Sequence, residues 1–166
     1  LPGERKSVEP MAARVEPSRV GAAHRPLHHL VAKAAWGDDA LLAAVRDDVL
    51  PAIGERGPIR AWIVDDTGLP KKGRLSVGVA RQYCGPLGKR ANSQALVSLT
   101  LAGREVPVPV GLRLFLPEEW TADPERCAAA GVPEAEVVAR SKGEIALAEL
   151  DRLIAAGLRF GIVLAD

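Results

Sequence analysis

The chain has 166 residues, of which 48% are hydrophobic and 26% are charged, and its formal net charge is +1. This composition is typical of a globular chain with room for one sizeable core, and it excludes an intrinsically disordered chain. No apolar run approaches the ~20 residues of a membrane span, and the charged N-terminus excludes a secretory signal.

The first third of the chain has the pattern of packed helices. Ser7 can cap a short helix over residues 8–15. Two apolar stripes at helical spacing follow, and they consist of Leu27, Leu30, Val31 and Ala34, then Leu41, Leu42, Val45, Val49 and Ala52. We therefore predict a helical region over residues 1–56, with the glycine- and proline-containing residues 54–58 as a linker.

The histidines and cysteines do not have the spacing of a metal site. His24 and His28 are four residues apart, but Pro26 lies between them and no carboxylate joins the pattern. Cys84 and Cys127 belong to no C-x-x-C motif, which suits a reducing compartment. We expect packing or surface roles for the histidines.

Residues 61–64 form an apolar run that predicts a short buried strand, and this run ends in two carboxylates, Asp65 and Asp66. A side chain at the end of a strand has little freedom, and open sheets usually place their sites at this edge. Thr67 and Gly68 follow, so a polar turn that closes the strand accounts for the pattern about as well. Both interpretations stay open at this point.

Residues 67–103, called the basic segment below, contain no acidic residue. Its cations are Lys71, Lys72, Arg74, Arg81, Lys89 and Arg90. A cationic stretch directly after an acidic strand fits a site that handles a polyanion near a bound metal, and a solvated basic loop fits equally well. The glycines and polar residues over residues 76–93 predict a long loop, whose Gly-Lys pair lacks the spacing of a phosphate-binding P-loop.

Residues 60–66, 94–102 and 106–116 predict three strands of an antiparallel meander. Alternation of apolar and polar side chains favours the second strand and its partner, and Gly103 with Arg104 would form the hairpin turn.

The last part of the chain is predicted to return to this sheet. A capping box from Ser141 to Glu144 opens a helix over residues 142–157. The apolar run at residues 161–166 then predicts a final strand that ends in Asp166. We expect this strand to lie parallel to the first one, joined through the helix by a right-handed crossover.

Several stretches of the sequence are long and specific: GERKSVEPMAARV, HHLVAKAAW, VDDTGLPKKG, SVGVARQYCGPLGK, LFLPEEW with DPERCAAAGVP, and GIVLAD. They resemble bacterial insertion-sequence transposases of the DDE type, in the ribonuclease-H-like superfamily, and most closely the "seven-oh-one" group. The resemblance covers nearly the whole chain. It implies an α/β fold, leaning to α+β, with a ribonuclease-H-like mixed sheet and an N-terminal helical subdomain.

The resemblance also implies cleavage of DNA at transposon ends followed by strand transfer, with Mg²⁺ or Mn²⁺ as cofactor. Asp66 matches the first acid of the family and Asp166 the second, so these two are the predicted catalytic and metal-binding residues. In ribonuclease-H-like folds the first and fourth strands are neighbours, and two carboxylates held together there repel each other unless cations bind between them. Asp65 points to the opposite face by strand alternation, so we favour Asp66.

Within the basic segment, the predicted DNA-binding residues are Lys71, Lys72, Arg74, Lys89 and Arg90. The partners implied are DNA at the transposon ends and at the target, with no membrane involved, and a homodimer of the full-length form is compatible with them. We expect a cytoplasmic, nucleoid-associated location in a bacterium.

The family's third acid, a Glu on a later helix, has no counterpart before Asp166. We therefore expect residues 59–166 to form a partial endonuclease domain that lacks its C-terminal part, and we expect the chain alone to be inactive. The alternative is an inactive truncated transposase that acts at most as a DNA-binding module. A phosphotransferase with an Asp nucleophile would need D-x-D-x-T or D-K-T-G, and residues 65–68 match neither spacing.

Overall fold

The computed structural model describes residues 7–35, 37–103, 107–158 and 161–165. The chain forms two compact units, Leu1–Leu41 and Leu42–Asp166. The division into a helical domain over residues 1–56 and an endonuclease domain over residues 59–166 stays a prediction.

Short helices make up the first unit. Helix α1 spans Val8–Val15, as predicted, and α2 spans Val20–Ala32. The predicted apolar stripe on α2 is only partly correct, because the helix ends before Ala34 and because Leu30 and Val31 are 51% and 65% exposed.

Helix α3 spans Asp38–Arg56 and begins in the first unit. Its first turn carries Asp38 and Asp39, whose negative charges are favourable at the positive end of the helix dipole. The helix continues through Gly54 to Arg56, so it runs three residues into the segment that was predicted as a linker. Leu50, which belongs to the second unit, packs against the core of the sheet described next.

The second unit is built on a five-stranded mixed sheet. Its strands are β1 (Ala61–Pro70), β2 (Ala80–Cys84), β3 (Lys89–Ala102), β4 (Val108–Leu114) and β5 (Ile162–Leu164). The order is β2-β3-β1-β5, and β4 also pairs with β3. β3 is antiparallel to β1, β2 and β4, whereas β5 is parallel to β1. The predicted meander and the parallel return strand are confirmed, and this is the mixed α/β sheet expected of a ribonuclease-H-like fold.

A hairpin of β2 and β3 replaces the long loop that was predicted in the basic segment. Ala80 and Cys84 are buried while Arg81 and Tyr83 are exposed, so the segment alternates as a strand does. Gly88 ends the connection with a φ of 60°, a conformation that favours glycine. The prediction of a loop was wrong because frequent glycines and cations obscured this alternation.

Three helices complete the second unit, and they are α4 (Glu118–Thr121), α5 (Pro124–Ala129) and α6 (Lys142–Ala155). The buried core comprises Trp62, Leu99, Leu101, Val110 and Leu153, the last of which lies on α6. Burial of an aliphatic side chain of this kind contributes ~1.5–3 kcal/mol. On β1, Trp62, Val64 and Asp66 alternate onto the face that α6 covers, so burial of Trp62 fixes the direction of Asp66. Arg104, half of the predicted hairpin turn, lies outside the described residues.

Candidate active site

Asp66 lies within β1 and not at its end. The strand continues to Pro70, and Asp66 pairs with Val97 of β3. The predicted strand end was wrong because the turn-favouring residues after Asp66 keep pairing with β3. The neighbouring β5 pairs with β1 only as far as Ile63. Asp66 therefore lies beyond the described end of the parallel pair, which is where open sheets place their sites.

Asp65 occupies the opposite face of β1. Its Oδ1 accepts a hydrogen bond from the backbone N–H of Asp66 at 2.7 Å, and its backbone carbonyl accepts one from Ser98 Oγ at 3.3 Å. The described contacts of Asp65 are thus with its own strand and with β3, whereas Asp66 reaches α6. This geometry supports Asp66 over Asp65 as a metal ligand, although the role itself stays a prediction.

Lys142 is the partner of Asp66, and sequence reasoning had missed it as a functional residue. From the first residue of α6, its Nζ donates to Oδ2 of Asp66. The two side chains are 39% and 44% exposed, and the same Nζ lies 5.7 Å from the centre of the Phe115 ring. An ion pair with this exposure contributes ~0–1 kcal/mol, so Asp66 can exchange its partner cation at small cost.

The start of α6 contained a signal that could have identified Lys142. The helix dipole disfavours a cation in the first turn. Ser141 Oγ accepts from the Glu144 N–H at 3.2 Å, and the Ser141 N–H donates to Glu144 Oε2 at 2.7 Å, so the cap is complete without Lys142. The hydrogen bond from the Ser141 backbone, followed by that from its hydroxyl, lowers the pKa of Glu144. A lysine placed against the dipole beside a complete cap indicates an acidic partner across the interface.

The chemical groups around Asp66 are compatible with a bound divalent cation. The ammonium of Lys142 shows that a cation is accommodated against this carboxylate, whose oxygens are the donors that Mg²⁺ prefers. The second predicted ligand, Asp166, lies outside the described residues, so its distance from Asp66 stays a prediction. In the part of the chain that the structure describes, no three His, Cys, Asp or Glu side chains gather as a metal site.

The loop between β1 and β2, called the anchored loop below, is tied down through its backbone carbonyls. Asn92 of β3 donates from Nδ2 to the carbonyls of Lys71 at 2.9 Å and Gly73 at 2.8 Å. Gln94, also on β3, donates from Nε2 to the carbonyl of Val77 at 2.5 Å. These amides take the place of strand pairing, so the loop keeps a defined path beside the sheet.

The region of α4 and α5 anchors the same loop from another side. Trp120 is buried, and its Nε1 donates to the carbonyl of Val79 at 2.8 Å. The guanidinium of Arg126 lies 3.9 Å from the centre of the Trp120 ring and donates to the carbonyl of Arg74 at 3.2 Å. The indole thus holds the loop directly and also positions the arginine that holds it.

The structure brings the predicted DNA-binding cations to one end of the sheet. Lys71, Lys72 and Arg74 lie on the anchored loop, and Lys89 and Arg90 lie at the start of β3. Asn92 follows Arg90 on β3 and bonds the loop, so the two groups adjoin. Four of the five side chains are exposed and Lys71 is half-buried. Their contact with DNA stays a prediction.

Both cysteines are buried, and two of the histidines pack against each other. Cys84 and Cys127 are buried free thiols, and Cys127 Sγ donates to the carbonyl of Trp120 at 3.2 Å. The rings of His24 and His28 stack with their centres 5.9 Å apart on α2. Among the described helices, none combines the length and the apolar character needed to cross a bilayer.

A family model matches the sequence along its whole length, and a curated relative matches most of it. The family model described as DDE superfamily endonuclease matches residues 1–166. A protein named "Probable transposase for insertion sequence element IS701", from Microchaete diplosiphon, is 34% identical over 140 residues, which is 84% of this chain and 33% of that protein. The chain therefore spans about a third of the length of this curated relative. No solved structure gives a significant match.

Proposed function

Because the chain belongs to the DDE superfamily endonucleases, we propose that it is part of an insertion-sequence transposase that cuts DNA at the ends of the element and joins them to target DNA. The observation that carries this proposal is the placement of Asp66. It lies beside the parallel β1–β5 pair, on the face of α6, with a cation already against its carboxylate.

Nucleases of the DDE superfamily generally use divalent metals, and here Mg²⁺ or Mn²⁺ would be held by Asp66 and Asp166. Such ions activate a water and stabilise the leaving oxygen of a phosphodiester. The chain's own residues hold and orient the site. The pairing of Asp66 with Val97 fixes its backbone, and Lys142 keeps its carboxylate extended toward α6, where a metal ion would take the place of the ammonium.

The DNA-facing surface is proposed to be the cationic end of the sheet, with Lys71, Lys72, Arg74, Lys89 and Arg90 on phosphates. Two features support it. The basic segment contains no acid that would repel a phosphate, and the anchored loop is held by side-chain donors, so its backbone loses little freedom on binding.

A second candidate function is a DNA-binding module without nuclease activity. It is supported by the exposed cations at one end of the sheet, which can bind phosphates without a metal ligand. This module would use the same cationic surface, so DNA binding alone does not separate the two functions.

Nicking of an insertion-sequence-end duplex in Mg²⁺ separates them. The assay compares the 166-residue chain with a longer protein that includes the remaining length of the transposase, each with Asp66 and with Asp66→Asn. The asparagine keeps the shape but loses the charge that binds the cation, so nicking by the longer form should fall by more than about 100-fold. Asp65→Asn is the matched control, because its side chain lies on the opposite face, and it should retain nicking.

Retention of metal-dependent nicking by Asp66→Asn would contradict the assignment. Nicking by the 166-residue chain that depends on Asp66 would contradict the expectation that this chain alone is inactive. If neither protein nicks but both bind DNA, the binding-module proposal is the correct one.

DNA contact is tested separately through its salt dependence. Replacing Lys71 and Lys72 with Ala should weaken binding to all sequences and reduce the slope of log affinity against log salt by about one unit per lost phosphate contact. Lys33→Ala, which removes an exposed lysine of the first unit, is the control and should leave the slope unchanged. An unaltered slope in the double variant would show that these lysines only face solvent.

A further inference from the structure

The β2–β3 hairpin displays an aromatic side chain between two arginines. Tyr83 of β2 pairs with Arg90 of β3, and Arg81 precedes Tyr83 by two residues, so the three side chains share one face of the hairpin. Tyr83 is 65% exposed, and both arginines are exposed as well.

This exposure distinguishes Tyr83 from the other aromatic residues that the structure describes. Trp62 and Trp120 are 0% and 1% exposed, and Phe115 is half-buried. An aromatic ring buries a large apolar area when it finds a partner, so a ring left in water on a regular strand is available for a ligand. A flat ligand that covers the ring would gain this burial.

The groups around Tyr83 select for an anion. Arg90 donates from Nη2 to the carbonyl of Arg81 at 3.0 Å, which holds its guanidinium across the hairpin beside the tyrosine. Asn92, on the same face, ties the hairpin to the anchored loop and its lysines. The whole basic segment contains no acid. A nucleotide combines a planar apolar face with flanking negative charges, so it fits this surface.

We propose that Tyr83 stacks on an unpaired base of the DNA while Arg81 and Arg90 bind the neighbouring phosphates. The proposal rests on the proposed function in DNA cleavage and names a contact that this function does not require. A base inside a duplex is stacked on both faces, so the ring can cover only a base that has left the stack.

The sheet also gives the expected position of this base. Asp66 pairs with Val97 and Tyr83 with Arg90, and these two β3 residues are seven positions apart, an odd number, so Tyr83 and Asp66 lie on opposite faces of the sheet. At ~3.4 Å per residue, the separation along β3 is roughly 24 Å. The stacked base should therefore lie toward the β2–β3 turn, on the face of the sheet opposite the phosphate held at Asp66.

The test uses two fluorescent probes with the full 166-residue chain. One is a random-sequence duplex, and the other is the same duplex with a single-stranded tail that carries 2-aminopurine. The wild-type chain should bind the tailed probe more tightly and quench its fluorescence by stacking. Tyr83→Ala should weaken binding to the tailed probe by about 5- to 100-fold, the range for loss of one stacked base, and should change duplex binding by less than about twofold.

Two matched variants and a fold measurement complete the experiment. Tyr83→Phe keeps the ring and should keep the tail preference, whereas Tyr83→Leu keeps apolar bulk without a π face and should lose most of it. Thermal unfolding should be nearly the same for all variants, since the ring is mostly exposed.

Equal binding of both probes by the wild-type chain, or an undiminished tail preference in Tyr83→Ala, would overturn this proposal while leaving DNA cleavage intact. Failure of the chain to bind either probe would overturn it together with the proposed DNA-facing surface. Loss of quenching in Tyr83→Ala with retained duplex binding is the result that supports stacking.

Discussion

Helix α6 meets the sheet through two carboxylates, Glu149 in its middle and Asp66 opposite its first residue. The side chain of Glu149 is 5% exposed and accepts hydrogen bonds from Arg113 Nε at 2.5 Å and Arg152 Nη2 at 2.6 Å. The side chain of Asp66 is 44% exposed and accepts from Lys142. Both acids form ion pairs, but Glu149 is buried and Asp66 is partly exposed to solvent.

The difference separates a structural acid from one that can bind a metal. Removal of this buried acid would break two charge-assisted hydrogen bonds, and the one from Arg113 joins β4 to α6, so Glu149 holds the two elements together. β4 makes room for it with Gly111, where a Cβ would lie 3.0 Å from Glu149 Oε2. Asp66 faces a single ammonium on a flexible side chain, in partial solvent, and a metal ion can replace such a partner.

The largest expected effect tests this contrast through stability. Glu149→Ala should lower the free energy of unfolding by about 3 kcal/mol, the lower end of the range for a broken buried pair because the two arginines keep partial exposure. Asp66→Ala should change it by less than ~1 kcal/mol. Urea denaturation of both variants measures the two values. Similar losses in both would show that Asp66 is also a structural acid.

A smaller effect is expected when the cation beside Asp66 is removed. Lys142→Met keeps the apolar stem but takes away the charge that competes with a divalent ion. The affinity of the chain for Mn²⁺ should rise by about tenfold, since each ~1.4 kcal/mol of repulsion removed between two cations a few Å apart is worth that factor.

Titration of Mn²⁺ followed by electron paramagnetic resonance measures this affinity without reference to nuclease activity. Lys142→Arg keeps the charge and should bind Mn²⁺ as the wild-type chain does. Adding Asp66→Asn to Lys142→Met should abolish the gain in Mn²⁺ affinity. An unchanged Mn²⁺ affinity in Lys142→Met would show that the ammonium of Lys142 does not compete with a divalent ion for Asp66.

The contrast between the two acids also shows how far sequence reasoning reaches. Four of the five strands were predicted from apolar runs and alternation, because burial and alternation are local properties of a sequence, whereas β2 was missed. The place of β5 beside β1 was predicted from the order of the elements and not from a local pattern. The pairing of β1 beyond Asp66 did not follow, since Thr67 and Gly68 favour turns and only the long β3 opposite them makes the strand continue.

Partners that are distant in sequence were beyond such reasoning. Lys142 and Asp66 are 76 positions apart, and Trp120 is 41 positions from Val79, so neither contact has a periodic signature. The cations of the basic segment could be named because charge is visible in sequence. Their common position depends on Asn92 and Trp120, whose side chains bind backbone carbonyls that any residue could supply.

The third prediction concerns the cap that positions Lys142. Ser141→Ala removes the hydroxyl that accepts from the Glu144 N–H and should lower the free energy of unfolding by about 1 kcal/mol. It should also loosen the first turn of α6, so the Mn²⁺ affinity should move toward that of Lys142→Met. Ser141→Thr keeps an N-cap oxygen and is the control. A loss of stability with no change in Mn²⁺ affinity would show that the cap stabilises α6 but does not affect the metal site.

The smallest effect is a pH dependence at the same cap. The pKa of Glu144 is lowered in the folded chain, first by the hydrogen bond from the Ser141 backbone and then by that from its hydroxyl. A lowered folded-state pKa means that the carboxylate stabilises the fold above its unfolded-state pKa and that this contribution is lost as the pH falls through the folded-state value. Glu144→Gln should therefore be less stable than the wild-type chain near neutral pH, and the difference should shrink below the ordinary value of 4.5. Urea denaturation midpoints of both chains across this range measure it, and Glu134→Gln, which changes an acid outside the cap, serves as the control. A difference that persists undiminished in acid would show that the glutamine disturbs packing and that the charge of Glu144 does not stabilise α6.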